Sequence, residues 1–237
     1  MIEQLKKHPF FSDKTIESCT LLEHQGYCNE NYLLVVDGVK YIVRSFVKND
    51  TDRLQEFDIQ KQASNFAIAP EPLLLNLEDG YMVMKFIEGI HKKKLDIEML
   101  YNLVDCISTL HDKVSIKGDM LNIKEVLHTR NEEIDGALDT LELDIKYPSD
   151  FVVSHNDLNP MNILWQGSKP ILLDFEYASV NSHYFDLGAI SIEFSLDKKE
   201  ETLMLRRYFG SCFLRENFDA YKVLYKALCE EWFQKNL

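Results

Sequence analysis

The sequence predicts an α+β fold, with a sheet-rich N-terminal lobe followed by a mainly helical C-terminal lobe. Before residue 87, runs rich in β-branched and aromatic residues flank turn signals, which is typical of antiparallel hairpins. From about Asp96 onwards, leucine and isoleucine recur every three or four residues, as in a helix that buries one face. We therefore expect an N-lobe over residues 1–87 and a C-lobe over residues 88–237.

The N-lobe is predicted to contain two hairpins and a helix. Asp37-Gly38 is a preferred two-residue turn between strands, and Glu78-Asp79-Gly80 is a second turn signal. The predicted elements are strands 31–36 and 39–44, a helix from 49 to about 66 that ends before Pro70, and strands 73–75 and 81–86.

The C-lobe is predicted to be helical, with one strand-rich segment in the middle of its sequence. The apolar run 151–154 leads into a polar loop, and a hairpin follows the loop with its turn at 166–170. The predicted elements are a helix from about 96, strands 151–154, 162–165 and 171–173, and helices 198–215 and 217–235.

Composition favours a compact intracellular protein. Hydrophobic residues make up 46% of the chain, and no apolar run reaches membrane-spanning length. The first residues lack the apolar core of a signal peptide, and the five cysteines include no C-x-x-C pair, so we expect the cytoplasm. The net charge of −13 argues against nucleic acid or an anionic membrane as partner and is compatible with a cationic substrate.

The functional signal lies between His155 and Asp174. Asp157, Asn162 and Asp174 have the H-x-D-x-x-x-x-N…D spacing of a phosphoryl-transfer site, which needs divalent cations and a carboxylate that receives a hydroxyl proton. The predicted hairpin returns Asp174 to the end that carries Asn162, and such oxygen ligands suit Mg²⁺. The alternative is an ordinary surface loop, because Asp and Asn are common in turns.

Three segments resemble the choline/ethanolamine kinase branch of the aminoglycoside phosphotransferase-like kinases. They are His-Asn-Asp-Leu-x-x-x-Asn from His155, Leu-Asp-Phe-Glu-Tyr-Ala around Asp174, and Asn-x-x-Tyr-Phe-Asp-Leu-Gly from Asn181. The resemblance runs through nearly the whole chain and is most specific from His155 to Glu193. It implies a bilobal, protein kinase-like fold and a small-molecule kinase that uses ATP and Mg²⁺, with choline or a similar amino alcohol as acceptor.

The resemblance also implies roles for individual residues. Asp157 is the expected catalytic base, and Asn162 and Asp174 are the expected Mg²⁺ ligands. His155 is expected to orient the loop through hydrogen bonds, and Asp186 to brace it.

Nucleotide binding is expected from the N-lobe and the segment that joins the lobes. Arg44 stands where protein kinases carry the phosphate-pairing lysine, and its planar guanidinium can bind phosphate oxygens in a bidentate manner. Glu56 on the next helix is its expected ion-pair partner, although a plain solvated helix face is the alternative. Asn29 and Asn31, in the turn at 25–31, are expected near the phosphates, and the main chain at Met84 and Phe86 is expected near adenine.

The acceptor pocket is expected in the C-lobe. A quaternary ammonium group cannot donate an N–H hydrogen bond and is best held by aromatic faces and carboxylates. Asp186-x6-Glu193 followed by an aromatic residue is similar to the choline kinase pattern, in which the acidic residue lies at the cation pocket. The candidates are Glu176, Tyr177, Tyr184, Glu193, Phe194 and Trp232. Each aromatic residue is also compatible with simple core packing.

Several alternatives stay open at this point. The acceptor could be ethanolamine, thiamine, an aminoglycoside or a sugar instead of choline. A different class would be a catalytically inactive kinase-like binding module, against which the intact Asp157, Asn162 and Asp174 argue. The sequence is compatible with a monomer or a homodimer.

Overall fold

The computed structural model describes residues 1–23, 29–48, 51–118, 120–144 and 151–236. The chain divides into two compact units, Met1–Glu88 and Gly89–Leu237. Among the described residues, the first unit contains a five-stranded sheet, and the second contains most of the helices with two small two-stranded sheets. The α+β prediction, sheet first and helices afterwards, is confirmed. No helix within these ranges is long and apolar enough to cross a membrane.

The sheet of the N-terminal unit is antiparallel throughout, with the strand order β1-β2-β3-β5-β4. The predicted hairpin around Asp37-Gly38 is confirmed, and both turn residues have positive φ, 49° and 76°, as this tight turn requires. The strands are β1 (Ile16–Leu21), β2 (Asn29–Val36), β3 (Val39–Phe46), β4 (Pro72–Asn76) and β5 (Tyr81–Lys85).

One face of this sheet is buried under the N-terminal residues. A short helix α1 (Ile2–Leu5) and a 3-10 turn (Pro9–Phe11) bring Leu5 and Phe11 against apolar side chains of the strands. Helix α2 (Arg53–Ser64) begins where the Asp52 carboxylate accepts hydrogen bonds from two backbone amides at 3.1 and 3.0 Å. The predicted helix over 49–66 is therefore shorter at both ends, and residues 49 and 50 lie outside the described part of the chain.

The C-terminal unit is built mainly from helices. The helix predicted from residue 96 begins after the N-cap Asp96 and buries one apolar face. The helices are α3 (Ile97–Lys113), α4 (Ile123–Val126), α5 (Glu132–Asp144), α6 (His183–Glu193), α7 (Lys198–Phe209) and α8 (Arg215–Asn236). The predicted helix 198–215 is wrong at its C-terminal end, because Gly210 adopts a φ of 70° and ends α7 at Phe209.

A buried carboxylate links three of these helices. Glu201 on α7 is almost fully buried and accepts a hydrogen bond of 2.9 Å from Ser191 on α6. Arg215 and Lys222, both on α8, form ion pairs with the same carboxylate. Because a buried charge is costly unless it is paired and hydrogen-bonded, this network stabilises one packing of α6, α7 and α8.

Two small antiparallel sheets hold the loop that carries the motif. Strand β6 (Phe151–Ser154) pairs with β9 (Ser179–Ser182), and β7 (Ile163–Gln166) pairs with β8 (Lys169–Leu172). The predicted hairpin is confirmed, with Gly167 at a φ of 64° in its turn. The loop therefore leaves one small sheet and enters the other.

Candidate active site

The hairpin β7–β8 brings the two predicted Mg²⁺ ligands to one end of a ribbon. The backbone amide of Leu173 donates a hydrogen bond of 2.8 Å to the carbonyl oxygen of Asn162. Asp174 follows directly and has a φ of 63°, a left-handed conformation that is uncommon for a residue with a side chain. The expected return of Asp174 toward Asn162 is thus present.

His155 orients the start of the loop, as expected. Its buried ring contacts the ring of Phe175, with centroids 4.8 Å apart. Its Nε2 lies 2.8 Å from the carbonyl oxygen of Leu173, and its Nδ1 lies 3.4 Å from the backbone amide of Asp157. The imidazole therefore connects the loop to the end of β8.

Asp186 on α6 braces the same loop from behind. Its fully buried carboxylate accepts hydrogen bonds from the backbone amides of His155, at 2.8 Å, and Asn156, at 2.9 Å. A third contact of 3.0 Å comes from Nε2 of His111, whose Nδ1 lies 2.6 Å from the Tyr208 hydroxyl. Burial raises the pKa of Asp186, but the bond from His111 and the neighbouring histidine charges outweigh it, so the pKa is lowered.

Asp157, the predicted base, is held by two amide side chains. Nδ2 of Asn159 donates to one carboxylate oxygen at 3.0 Å, and Nδ2 of Asn162 donates to the other at 2.6 Å. Burial raises the pKa of Asp157, and the negative charge of Asp174 acts in the same direction. The carboxylate is therefore fixed in position and binds a proton more readily than an exposed aspartate.

The side chains of Asn162 and Asp174 fit a hard divalent cation. Because Nδ2 of Asn162 donates to Asp157, the amide oxygen of Asn162 points elsewhere, and it accepts no hydrogen bond from the described residues. Amide and carboxylate oxygens are ligands that Mg²⁺ accepts while it keeps waters and substrate phosphates. Over the same residues, no group of three His, Cys, Asp or Glu side chains could hold a metal ion by itself.

Glu193 is a second carboxylate among the predicted acceptor residues. It is half-buried at the end of α6, and its Oε1 accepts a hydrogen bond of 2.9 Å from the Tyr225 hydroxyl. Burial raises the pKa of Glu193, and the charge of Asp157 adds to the rise. Within the described ranges, no lysine, arginine or histidine pairs with Glu193. The sequence indicated Glu193 as a candidate but did not reveal its contact with Tyr225.

Three other predicted acceptor residues, Glu176, Tyr177 and Trp232, are half-buried. Glu176 and Tyr177 lie half-buried in the turn after Phe175, where the carbonyl oxygen of Tyr177 accepts a hydrogen bond of 2.9 Å from Asn156. Trp232 lies half-buried near the end of α8, with its ring centroid 5.3 Å from that of Phe233.

Two aromatic candidates are core residues in the structure. Tyr184 is buried against Phe209, with ring centroids 4.9 Å apart, and its hydroxyl accepts a hydrogen bond of 2.8 Å from the backbone amide of Leu214. Phe194 is likewise buried, directly after the last turn of α6. Both side chains therefore pack in the core of the C-terminal unit, and their predicted place in the acceptor pocket stays a prediction.

The N-terminal unit contains the predicted ion pair. Nη1 of Arg44 lies 2.8 Å from one carboxylate oxygen of Glu56, and the two side chains are only 7% and 1% exposed. The solvated-face alternative for Glu56 is therefore wrong. Arg53, which the sequence did not single out, binds the other oxygen of Glu56 at 2.7 Å. A role of Arg44 toward a nucleotide stays a prediction.

The remaining nucleotide candidates lie on two strands of the same unit, β2 and β5, or just beyond them. Asn29 is the buried first residue of β2, and Asn31 is paired with Arg44 in the register of β2 and β3. Most of the predicted 25–31 turn, residues 25–28, lies outside the described residues. Met84 is buried in β5, where its sulfur lies 3.5 Å from Nε2 of Gln60. Phe86 follows the end of β5.

Comparisons with known proteins agree on one group. The sequence model of choline/ethanolamine kinase matches residues 82–207. Protein LicA of Haemophilus influenzae is 23% identical in a 207-residue alignment that covers 77% of this chain and 60% of that protein. A LicA homolog of Metamycoplasma hominis is 23% identical over 94% of this chain and 82% of its own length. The chain thus spans less than two thirds of the first of these relatives.

Solved structures show the same fold. The crystal structure of choline kinase LicA from Streptococcus pneumoniae superposes with a TM-score of 0.78 at 22% identity, covering 98% of this chain and 89% of that chain. Spectinomycin phosphotransferase, in complex with ADP and spectinomycin, superposes with a TM-score of 0.72 at 13% identity, covering 100% and 87%. Since the family match extends over more than half of its length, the chain belongs to the choline/ethanolamine kinase family.

Proposed function

We propose that this chain transfers the γ-phosphoryl group of ATP to the hydroxyl group of choline or a similar amino alcohol. The observation that carries the proposal is the Asp157 carboxylate, which two amide side chains hold in place within the predicted phosphoryl-transfer loop. Asp157 is held by amide donors, as a base for a hydroxyl proton would be. Glu193, whose pKa is raised by burial and by the charge of Asp157, has no cationic partner among the described side chains, which suits a cationic head group.

The proposed reaction is a single in-line transfer. The acceptor oxygen forms a bond to the γ-phosphorus while the bond from that phosphorus to the β–γ bridging oxygen breaks, and ADP leaves with the electron pair. Asp157 orients the hydroxyl group and takes its proton. Its raised pKa supports this role, because a base is more effective when its pKa lies nearer the working pH.

Asn162 and Asp174 are the residues that we assign to Mg²⁺. Bound Mg²⁺ would supply positive charge that offsets the charge of the phosphate oxygens. The amide oxygen of Asn162 and the carboxylate of Asp174 are suitable donors, and Nδ2 of Asn162 keeps that side chain fixed against Asp157. The charge of Asp174 adds to the raised pKa of Asp157, so a cation at Asp174 would lower that pKa.

Arg44 is the residue that we assign to the nucleotide phosphates. Its buried ion pair with Glu56 supports the assignment, since the pair holds the guanidinium in one orientation. We assign Asn29 and Asn31 to the same nucleotide, together with the main chain at Met84 and Phe86. These five positions rest on the family resemblance and on the location of Arg44.

The cationic head of the acceptor is assigned to Glu193. A quaternary ammonium group gains from a carboxylate and from aromatic faces, and Tyr177 and Trp232 are partly exposed aromatic residues of the same unit. Glu176 is kept as a second carboxylate of the acceptor site. The family to which the chain belongs supports a small amino alcohol as the acceptor class.

The test is ATP consumption with Mg²⁺ against choline, ethanolamine, thiamine, an aminoglycoside and simple sugars. Choline-dependent turnover is expected, and Asp157→Ala should lower it by a factor of about 100 or more, as loss of a general base does. Asp105→Ala is the matched control, because Asp105 is an exposed carboxylate on α3 that binds Arg207. This control should leave turnover unchanged.

The other outcomes separate the alternatives. Turnover with a different acceptor would keep the phosphoryl-transfer site and reject the assignment of Glu193 to a quaternary ammonium group. ATP binding without turnover on any acceptor, in a correctly folded protein, would favour a binding module. Full activity of Asp157→Ala would reject Asp157 as the base.

A further inference from the structure

In the described part of the chain, the carboxylate of Glu193 has one hydrogen-bond donor. Tyr225, in the middle of α8, donates its hydroxyl hydrogen to Oε1 of Glu193 at 2.9 Å, and Oε2 accepts no hydrogen bond from a described residue. Tyr225 is only 2% exposed, and its ring meets the ring of Phe185 edge-on at 5.6 Å. The packed ring therefore holds the hydroxyl group in one position.

The surrounding groups oppose the ionised form of Glu193. Burial and the charge of Asp157 both raise its pKa, whereas the Tyr225 hydroxyl lowers it. Burial also raises the pKa of Tyr225, so the hydroxyl keeps its proton and acts as a donor. Cys229, one turn further along α8, adds no charge at neutral pH, because burial raises the pKa of its thiol to about 11. Tyr225 is thus the neighbour that favours a Glu193 anion when no cation is bound.

We infer that Tyr225 is a positioning residue that makes the acceptor site selective for a cation. Its hydroxyl fixes Oε1 of Glu193 and leaves Oε2 for the positively charged head of the acceptor. This inference rests on the proposed function and extends it, since it names the group that keeps the cation-binding carboxylate oriented. Because Tyr225 acts through Glu193 and does not touch the reacting atoms, its loss should weaken acceptor binding and spare the chemical step.

The sequence offered only a weak signal for this role. Tyr225 and Cys229 are four residues apart and so lie on one face of α8, but aromatic residues at helical spacing usually pack in a core. The contact that distinguishes Tyr225 joins residues 32 positions apart in the chain.

The experiment compares Tyr225→Phe with the unchanged protein on two acceptors. One is choline, and the other is 3,3-dimethylbutan-1-ol, which has an uncharged tert-butyl group in place of the trimethylammonium group. With Tyr225→Phe, KM for choline should rise about tenfold, as expected for loss of a hydrogen bond to a charged group. Its kcat should stay within about threefold, and KM for the neutral alcohol within about twofold, because neither depends on a Glu193 anion.

Tyr221→Phe is the matched control, since Tyr221 is a buried tyrosine one turn earlier on α8 whose ring packs edge-on against Phe185. The hydrogen bond to Glu193 comes from Tyr225 instead. With Tyr221→Phe, the ratio of KM for choline to KM for the neutral alcohol should equal the ratio measured with the unchanged protein. An equal rise in both KM values with Tyr225→Phe, or a fall in kcat with KM unchanged, would overturn the inference. A ratio of the two KM values that Tyr225→Phe leaves unchanged would also overturn it.

Two further results keep the inference separate from the proposed function. If Tyr225→Phe does not fold, Glu193→Gln should reduce the preference for choline in the same way, and an unchanged preference would overturn the inference. If the unchanged protein accepts neither choline nor another amino alcohol, the proposed function fails and the inference fails with it. Choline turnover with a KM ratio that Glu193→Gln alters and Tyr225→Phe leaves unaltered rejects the inference alone.

Discussion

Replacing Asp186 by asparagine would measure how strongly the buried carboxylate stabilises the loop that carries Asp157. The carboxylate accepts three hydrogen bonds, from the backbone amides of His155 and Asn156 and from His111. Asparagine keeps one acceptor oxygen, so at least one backbone amide would face an NH₂ group. Hydrogen bonds to charged groups contribute roughly 1.5–3 kcal/mol each, and we expect the free energy of unfolding to fall by about 3 kcal/mol.

Intrinsic fluorescence during urea unfolding is the suitable assay, because both tryptophans, at positions 165 and 232, belong to the C-terminal unit. Asp105→Asn is the control, since its exposed ion pair with Arg207 should contribute at most about 1 kcal/mol. The lowered pKa of Asp186 adds a second observable. The stabilisation by the Asp186 carboxylate is present above the ordinary pKa of an aspartate and is lost as the pH falls below it. The Asp186→Asn variant should therefore lose less stability on acidification than the unchanged protein.

A loss for Asp186→Asn that is no larger than the loss for Asp105→Asn would refute the reasoning. Equal losses of stability in the variant and the unchanged protein between neutral and acid pH would also contradict it. A destabilised variant with an unaltered kcat would refute the claim that Asp186 orients the catalytic loop.

Three further predictions concern stability. Although burial raises the pKa of Glu201, hydrogen bonds from two cations and a serine lower it to about 2. The stabilisation by the Glu201 carboxylate is therefore present above pH 4.5 and is lost as the pH falls toward 2. Glu201→Gln should reduce the dependence of the thermal-unfolding temperature on pH over that range. Glu56→Gln leaves two buried arginines facing a neutral partner and should cost roughly 3 kcal/mol, measured by circular dichroism during urea unfolding. Gly89→Ala would place a Cβ 2.8 Å from the Trp165 carbonyl oxygen and should cost about 1–3 kcal/mol in the same assay, whereas Gly136→Ala, with no atom within 4 Å, should not destabilise.

Local signals in the sequence predicted local structure well. Asp37-Gly38 predicted a turn because few residues tolerate two successive positive φ angles. Asp96 predicted a helix start because its side chain can accept from the amide of Met99. Strand β1 had no such signal, since its half-exposed residues Ile16–Leu21 become a strand only through pairing with β2.

The site was predictable where its geometry follows from one continuous segment. The spacing between Asp157 and Asn162 predicted neighbouring side chains, and they are hydrogen-bonded at 2.6 Å. Which of the candidate aromatic residues are buried was not predictable, because the same helical spacing buries Tyr184 and leaves Trp232 partly exposed. That choice depends on how α6 and α8 pack, which no short motif encodes.

The contacts of Asp186 behind the loop that carries Asp157 have a consequence for the order of folding. Asp186 binds the amide of His155 across 31 positions and the side chain of His111 across 75. The loop is therefore synthesised well before α6, which must close on it, and contacts between such distant positions form slowly. We expect enzymatic competence to appear only after α6 has docked on α3, so that recovery of activity during refolding should follow the recovery of helical signal.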